Sequence, residues 1–361
     1  MPKTSLGIGI IGAGFGASVQ LPGFLGLPEA RVIGIASKDG KKTEELSKKF
    51  NLPKKFSSPD ELIACGEIDL VSVAVPPFAQ QELILKAIKA GKSILCEKPF
   101  TLSSEIAEHL YKEARAAGIV HAVDFEFREL PALKLIKKRL EDGTVGEIKN
   151  AKIIWLVGFW ADPERPWRWQ CDRDAGGGVL GALGVHLFDM VEWFFGPVKK
   201  LRAEMDISIK NRTDVSGTLR EVTAEDHADI ELVCENGISV KMLLSNAERS
   251  GAGLSMDIQG HRNSIFLRST SQEYGRGLQV MEGGNEKESR LLQTAEDIPV
   301  QVDSRVPPFH ALAGRLVHAI LKKHISFHPS FFEGMRAQMI REAALQSSSA
   351  GGWVEIAERV P

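Results

Sequence analysis

The chain has 361 residues, long enough for two domains with their own cores. Its 45 basic and 47 acidic residues leave a net charge of −2, which excludes a nucleic-acid partner selected by bulk charge. No stretch approaches the roughly 20 apolar residues of a membrane span. The four cysteines, Cys65, Cys96, Cys171 and Cys234, form no CxxC pair, so neither a zinc site nor a disulfide framework is expected.

In chain order, Leu6–Ala17 (LGIGIIGAGFGA) comes first: an apolar, β-branched run that stops at a glycine-rich turn. The run fits a first strand better than a secretion signal, and a cytoplasmic protein is expected. Arg31–Ala36 reads as a second strand, followed by a helix near Lys41–Phe50. Leu70–Val75 is a third strand, closed by Pro76-Pro77, and a helix follows that stops at Gly91. Ser93–Cys96 is a short strand running into Glu97-Lys98-Pro99; Ser103–Ala117 is an amphipathic helix, and Ile119–Val123 one more strand. Strands alternating with helices predict a doubly wound parallel sheet over residues 1–124, with its ligand beyond the carboxyl ends of the strands.

From residue 125 the pattern changes. Pro131–Asp142 looks helical, Ile148–Phe159 is a long extended run, and a helix is expected near His186–Phe195. Between Leu201 and Val280 come extended segments, among them Ala228–Cys234, Ser239–Ser245, Met256–Gln259 and Ser264–Leu267, joined by short Gly and Asn turns. They predict an α+β domain over residues 125–361 with a large, mostly antiparallel open sheet. Two helices, near Pro308–Lys322 and Ser330–Ser347, close the chain.

The glycine-rich turn presents backbone N–H groups as a pyrophosphate cradle: Gly12 permits the tight turn, Gly14 lets phosphates approach, and Ala17 allows close helix packing. In such folds an acidic residue ends the second strand and holds the ribose 2′-hydroxyl. Here Ser37-Lys38 stands there, a hydroxyl beside a cation, which favours NADP over NAD. Asp39 keeps NAD open, and a solvated turn is the bland alternative. The expected cofactor-binding set is Gly12, Gly14, Phe15, Gly16, Ser37, Lys38, Pro76, Glu97 and Lys98. Lys98, at the end of a strand, is placed to donate to a substrate oxygen and help proton transfer; the alternative is an ordinary turn. Pro99 is a candidate for a cis bond.

The order GAGFGA, then AVPPFAQQELILKAIKAGKSILCEKPF, then GGGVLGALGVHLFDM, with a C-terminal HPSFFEGMR, resembles the Gfo/Idh/MocA family of oxidoreductases over nearly the whole chain. The resemblance implies a Rossmann domain, a C-terminal domain whose open sheet makes a homodimer or homotetramer, and NAD(P)-linked chemistry on sugars, polyols or related small molecules. It implies that Lys98 and His186 are catalytic. Three positions depart from the family pattern. Ala182 replaces the aspartate of DxxxH, Gln80 stands where many members have a histidine after the Pro-Pro turn, and Glu126 where an asparagine is frequent. A histidine without its carboxylate is a weaker base. Asp189, three residues after His186, is a possible substitute or simply a helix-face carboxylate.

The Gly176-Gly177-Gly178 run is expected to give the backbone freedom beside the substrate. The loop Trp160–Asp174 (WADPERPWRWQCDRD) offers Trp167 to stack on a sugar ring and Arg168 to hold an anionic group, or else packs over the sheet. A nucleotide-binding sensor or partner without dehydrogenase activity is the competing class. A third possibility retains NAD as a bound redox carrier in hydrolytic or ring-opening chemistry.

Overall fold

The computed structural model describes residues 4–294 and 301–358. The chain divides into two compact units, one of Met1–Glu129 with Gln301–Gln338, the other of Leu130–Val300 with Met339–Pro361. The sequence pattern placed everything after residue 124 together. It cannot register that 301–338 returns to the first unit, because that return is written in packing and not in local periodicity.

The first unit is a five-stranded parallel sheet of β1 (Leu6–Ile11), β2 (Ala30–Ala36), β3 (Leu70–Val73), β4 (Ser93–Cys96) and β5 (His121–Val123), in the order β2-β1-β3-β4-β5. All residues of β1, β3, β4 and β5 are buried, as strands covered by helices on both faces must be. The register aligns the strand ends. Ile11 lies opposite Ala36 and Val73, Val73 opposite Cys96, and Cys96 opposite Val123. The third strand is shorter than Leu70–Val75 because the chain turns away to Pro76 and Pro77, which have no N–H to give a ladder. The order reverses between β1 and β3, so the crevice for a ligand opens at their carboxyl ends.

The helix Val306–Leu321 packs on the short helix Leu21–Leu25, with Phe24 and Phe309 edge to face at 5.1 Å between ring centroids. Gly23 permits that approach, since a Cβ there would lie 2.4 Å from the Phe309 ring. The N-terminal part of the helix Phe331–Ala350 also belongs to this unit, where Phe331 stacks on Phe100 at 4.5 Å.

The second unit holds β6 (Ile148–Leu156), β7 (Val198–Asp206), the hairpin of β8 (Asn211–Thr213) and β9 (Leu219–Glu221), then β10 (His227–Cys234), β11 (Ser239–Ser245), β12 (Gly253–Gly260), β13 (Ser264–Ser269), β14 (Leu278–Gly283), β15 (Arg290–Thr294) and β16 (Val354–Glu355). Nine of these form one sheet, β15-β14-β13-β12-β6-β11-β10-β7-β16, parallel between β6 and β11 and antiparallel elsewhere. Burial alternates along β10 and β11, the signature of a sheet with one covered face. The opposite face carries charges, with Glu231 between Arg202 at 2.8 Å and Lys241 at 3.0 Å. The helices Pro131–Glu141 and Val185–Phe195 lie in this unit. The two-level architecture is the α/β plus α+β arrangement expected.

Candidate active site

The aligned register carries one residue past each strand. Gly12 N donates to Ala36 O at 2.8 Å, Ala74 N to Ile11 O at 2.8 Å, Glu97 N to Val73 O at 2.9 Å and Asp124 N to Cys96 O at 2.8 Å. The first unit therefore brings Gly12, Ser37, Ala74, Glu97 and Asp124 to one edge of its sheet, with Lys98 and Glu126 just beyond.

In the glycine-rich turn Gly12 has φ +125°, and a Cβ there would strike Ala74 O at 2.1 Å, so only glycine fits. At Gly14 a Cβ would meet nothing within 4 Å, an open approach to the backbone. Gly16 is the close-packing position, where a Cβ would lie 2.9 Å from Ile10 Cγ2 and 3.1 Å from Ala74 Cβ. That role was expected of Ala17; the helix begins with a π-turn at Gly16–Gln20, which shifts the contact by one residue. The Arg305 guanidinium stands 5.0 Å over the Phe15 ring and is itself held by Asp303 at 2.6 Å. The cradle fits a dinucleotide pyrophosphate.

At the end of β2, Asp39 caps the helix Gly40–Lys49, its Oδ1 accepting from Lys42 N at 3.0 Å. Ser37 Oγ lies 2.8 Å from Thr43 Oγ1, and Lys38, Lys41 and Lys42 are exposed around it. The turn thus carries one exposed carboxylate, Asp39, with one oxygen in the cap, and three exposed lysines.

The Glu97-Lys98-Pro99 turn has a cis Lys98–Pro99 bond. Gln80, fully buried, clamps it. Its Nε2 donates to Glu97 O at 2.9 Å and Pro99 O at 3.1 Å, and its Oε1 accepts from Thr101 N at 2.7 Å. Gln80 thus serves as a brace, a role the sequence did not reveal. Behind the turn lies a buried polar cluster. Gln20 Nε2 donates to Glu97 Oε1 at 2.9 Å and to Asp124 Oδ2 at 3.1 Å, and Ser72 Oγ donates to Gln20 Oε1 at 2.7 Å. Glu97 and Asp124 share the Gln20 amide, and the charge of Glu97 adds to burial in raising Asp124. Burial pushes Glu97 up to about 7 and Asp124 well above its usual range. Burial likewise drives Lys98 down, opposed first by Glu126, and lifts Glu126 to about 8. Lys98 itself is half-buried.

In the second unit His186 and Asp189 lie on one face of the helix Val185–Phe195, 3% and 4% exposed, and His186 lies beside Trp155 at 6.5 Å between centroids. Ala182 sits in the preceding π-turn Leu180–Gly184, one turn before His186, where a carboxylate would share the histidine's face. The glycine run passes a buried acid: a Cβ on Gly178 would lie 2.1 Å from Glu225 Oε1, which accepts from Leu180 N at 3.1 Å. Arg341 faces the same carboxylate and donates to Gly177 O at 3.3 Å. These contacts fix the start of the histidine's helix.

The tryptophan-rich loop is organised by Arg212, 3% exposed, which donates to the carbonyls of Asp162 at 2.6 Å and Arg165 at 3.1 Å and to that of Trp160. Trp167 Nε1 donates to Glu221 O at 2.9 Å, and Arg220 lies 4.8 Å over its ring. Trp167 is therefore engaged with the β8–β9 hairpin, and Arg168 is exposed. Among the described residues no group of His, Cys, Asp and Glu could hold a metal, and no helix is long and apolar enough to cross a membrane.

Residues 6–125 match the profile "Oxidoreductase family, NAD-binding Rossmann fold", and residues 133–266 match the "GFO/IDH/MocA C-terminal domain". An uncharacterized oxidoreductase of Synechocystis sp. is 33% identical over 98% of this chain and 96% of its own. Levoglucosan dehydrogenase of Pseudarthrobacter phenanthrenivorans is 26% identical over 98% of both chains. A solved levoglucosan dehydrogenase in complex with NADH and L-sorbose superposes with a TM-score of 0.88 at 23% identity, over 99% of this chain and 100% of that one.

Proposed function

Since this chain belongs to the GFO/IDH/MocA family of oxidoreductases, we propose that it is an NADP-linked dehydrogenase interconverting a hydroxyl and a carbonyl on a sugar, polyol or related small molecule. The observation that carries the reading is Lys98, a desolvated, half-buried ammonium at the sheet edge that the glycine cradle also occupies. The bound dinucleotide supplies the hydride acceptor or donor. Gly12, Gly14, Phe15 and Gly16 hold its pyrophosphate, Ser37 and Lys38 its adenosine ribose and 2′-phosphate, and Pro76, Glu97 and Lys98 line its nicotinamide end.

Burial lowers the proton affinity of Lys98 below that of an ordinary lysine, and in this reading its amine accepts the hydroxyl proton in oxidation and its ammonium returns it in reduction. The Gln80 brace fixes the turn that aims Lys98. His186 is the second proton-handling residue that the family pattern assigns. Trp167, Arg168 and Asp189 remain substrate-side proposals. The relatives' names, levoglucosan dehydrogenase foremost, support a carbohydrate substrate.

The preference for NADP rests on Ser37 and its lysines and on the diversion of Asp39 into a helix cap. Fluorescence titration is expected to show tighter binding of NADPH than NADH, and Ser37→Asp to shift the preference toward NADH by about tenfold or more. Unchanged relative affinities contradict the cofactor assignment. The lack of a carboxylate at Ala182 favours a second reading, a dinucleotide-binding protein without turnover. Binding of NADPH with no reaction across a panel of sugars, polyols and carbonyl compounds decides for it.

A further inference from the structure

We propose that Gln20 is a positioning residue for Lys98: its side-chain amide ties the helix that leaves the glycine cradle to the turn that carries the lysine. The inference rests on the dehydrogenase reading above, with Lys98 handling the proton, and adds to it what holds that amine in place.

Gln20 ends the π-turn Gly16–Gln20 that follows the cradle, and its side chain is wholly buried. π-Turns of this kind are frequent at functional sites. A buried amide is costly unless its donors and its acceptor are all met. Here they are. Gln20 Nε2 donates to Glu97 Oε1 at 2.9 Å, just past β4, and to Asp124 Oδ2 at 3.1 Å, just past β5. Gln20 Oε1 accepts from Ser72 Oγ in β3 at 2.7 Å. Ser72, Glu97 and Asp124 are buried as well. One side chain thus joins the cradle helix, β3 and the carboxyl ends of β4 and β5, all within the first unit.

Glu97 immediately precedes Lys98. Its N–H donates to Val73 O at 2.9 Å, and its carbonyl and that of Pro99 accept from Gln80 at 2.9 and 3.1 Å. Those bonds hold the backbone of the turn; the bond from Gln20 holds its side chain. Lys98 therefore departs from a segment fixed on two sides. A lysine side chain is flexible, so a steady amine needs a steady backbone beneath it. The same helix begins at the pyrophosphate cradle, so the Gln20 amide registers the dinucleotide's seat against the lysine turn, across 77 residues of sequence. Misplacing a reacting group by about 1 Å costs roughly 100-fold in rate. A methionine at this position fills the same length and leaves Glu97 and Asp124 without their shared donor.

The test is a double-mutant cycle. Gln20→Met is expected to lower kcat by about 10- to 100-fold, with the Kd of NADPH from fluorescence titration within about threefold of wild type. Without cofactor or substrate, it is expected to speed backbone hydrogen exchange in the peptide spanning residues 94–100. In the Lys98→Met background the same substitution is expected to lower kcat by less than about twofold further, since no amine is left to aim. Ser72→Ala removes the hydroxyl that holds the amide and is expected to lower kcat by about threefold, again only where Lys98 is present. It carries the test should Gln20→Met fail to fold. Equal losses with and without Lys98, a wild-type kcat in the variant, or unchanged exchange over residues 94–100 overturns the role. Absence of turnover in wild type overturns instead the dehydrogenase reading and the role that rests on it.

Discussion

At the scale of single residues, the site is a problem of charge in a dry place. Burial raises Glu97 and Asp124 above the usual carboxylate range, and the charge of Glu97 adds to this at Asp124. This has a consequence for stability. Both acids have folded-state values raised above their unfolded ones, so the native state holds more protons than the unfolded chain between about pH 4 and 7. Stability therefore falls as pH rises through that window, by roughly 3 kcal/mol from Glu97 alone. Lys98, lowered on folding, acts with the opposite sign only at higher pH. Asp124→Asn, an amide in place of the protonated acid, is expected to flatten the slope and to gain stability over wild type at pH 8. Urea denaturation from pH 5 to 8 measures both; an unchanged slope contradicts the raised proton affinity of Asp124.

Residue roles were unevenly legible. Gly12 and Lys98 stand out in the sequence because their chemistry is local, a turn that admits no side chain and an amine after a strand. Gln20, Asp124 and Arg305 do not, because each gains meaning only from the parallel register or from the return of 301–338 to the first unit. Gln80 and Glu126 are visible in the sequence only as departures from a family pattern. Packing turns the first into a brace and the second into a buried acid that desolvation raises to about 8.

At the scale of elements, β1–β5 and their helices were readable because strand, turn and helix signals alternate at short range. The ends of strands were less so, since ladders stop where prolines or outward turns remove donors, as at Pro76. Most of β7–β9 and β14–β16 carries weak local signals and is specified by pairing with strands far away. One helix start was written plainly. Ser330 and Glu333 cap the start of the helix Phe331–Ala350, with Glu333 Oε2 accepting from Ser330 N at 2.7 Å and from Ser330 Oγ at 2.7 Å, and Ser330 Oγ accepting from Phe332 N at 3.1 Å. His328 Nδ1 lies 2.6 Å from Glu333 Oε1. Burial alone would raise Glu333, yet His328, Arg128 and Ser330 together hold it down to about 2. Its contribution is therefore present above its ordinary value of 4.5 and lost as pH falls through about 2. Glu333→Gln is expected to cost about 1–2 kcal/mol at pH 7, with the gap to wild type closing between pH 4.5 and 2. Thermal denaturation across that range checks it; a gap independent of pH contradicts the role of the charge.

At the scale of the whole molecule, family membership and two units of the expected classes agree with a chain built to bind a dinucleotide at one sheet edge. The cradle was the weakest signal in isolation, because any buried strand-to-helix corner can use glycines. The structure gives it its neighbours, Lys98 and a proton-holding cluster on adjacent strands. The central claim is that Lys98 moves the proton in hydride transfer, and Lys98→Met tests it most directly. Reduction of NADP by the best substrate of a sugar and polyol panel is measured beside cofactor affinity. The account predicts a fall in kcat of at least about 1,000-fold with cofactor Kd within about threefold of wild type. Turnover by Lys98→Met at the wild-type rate contradicts it.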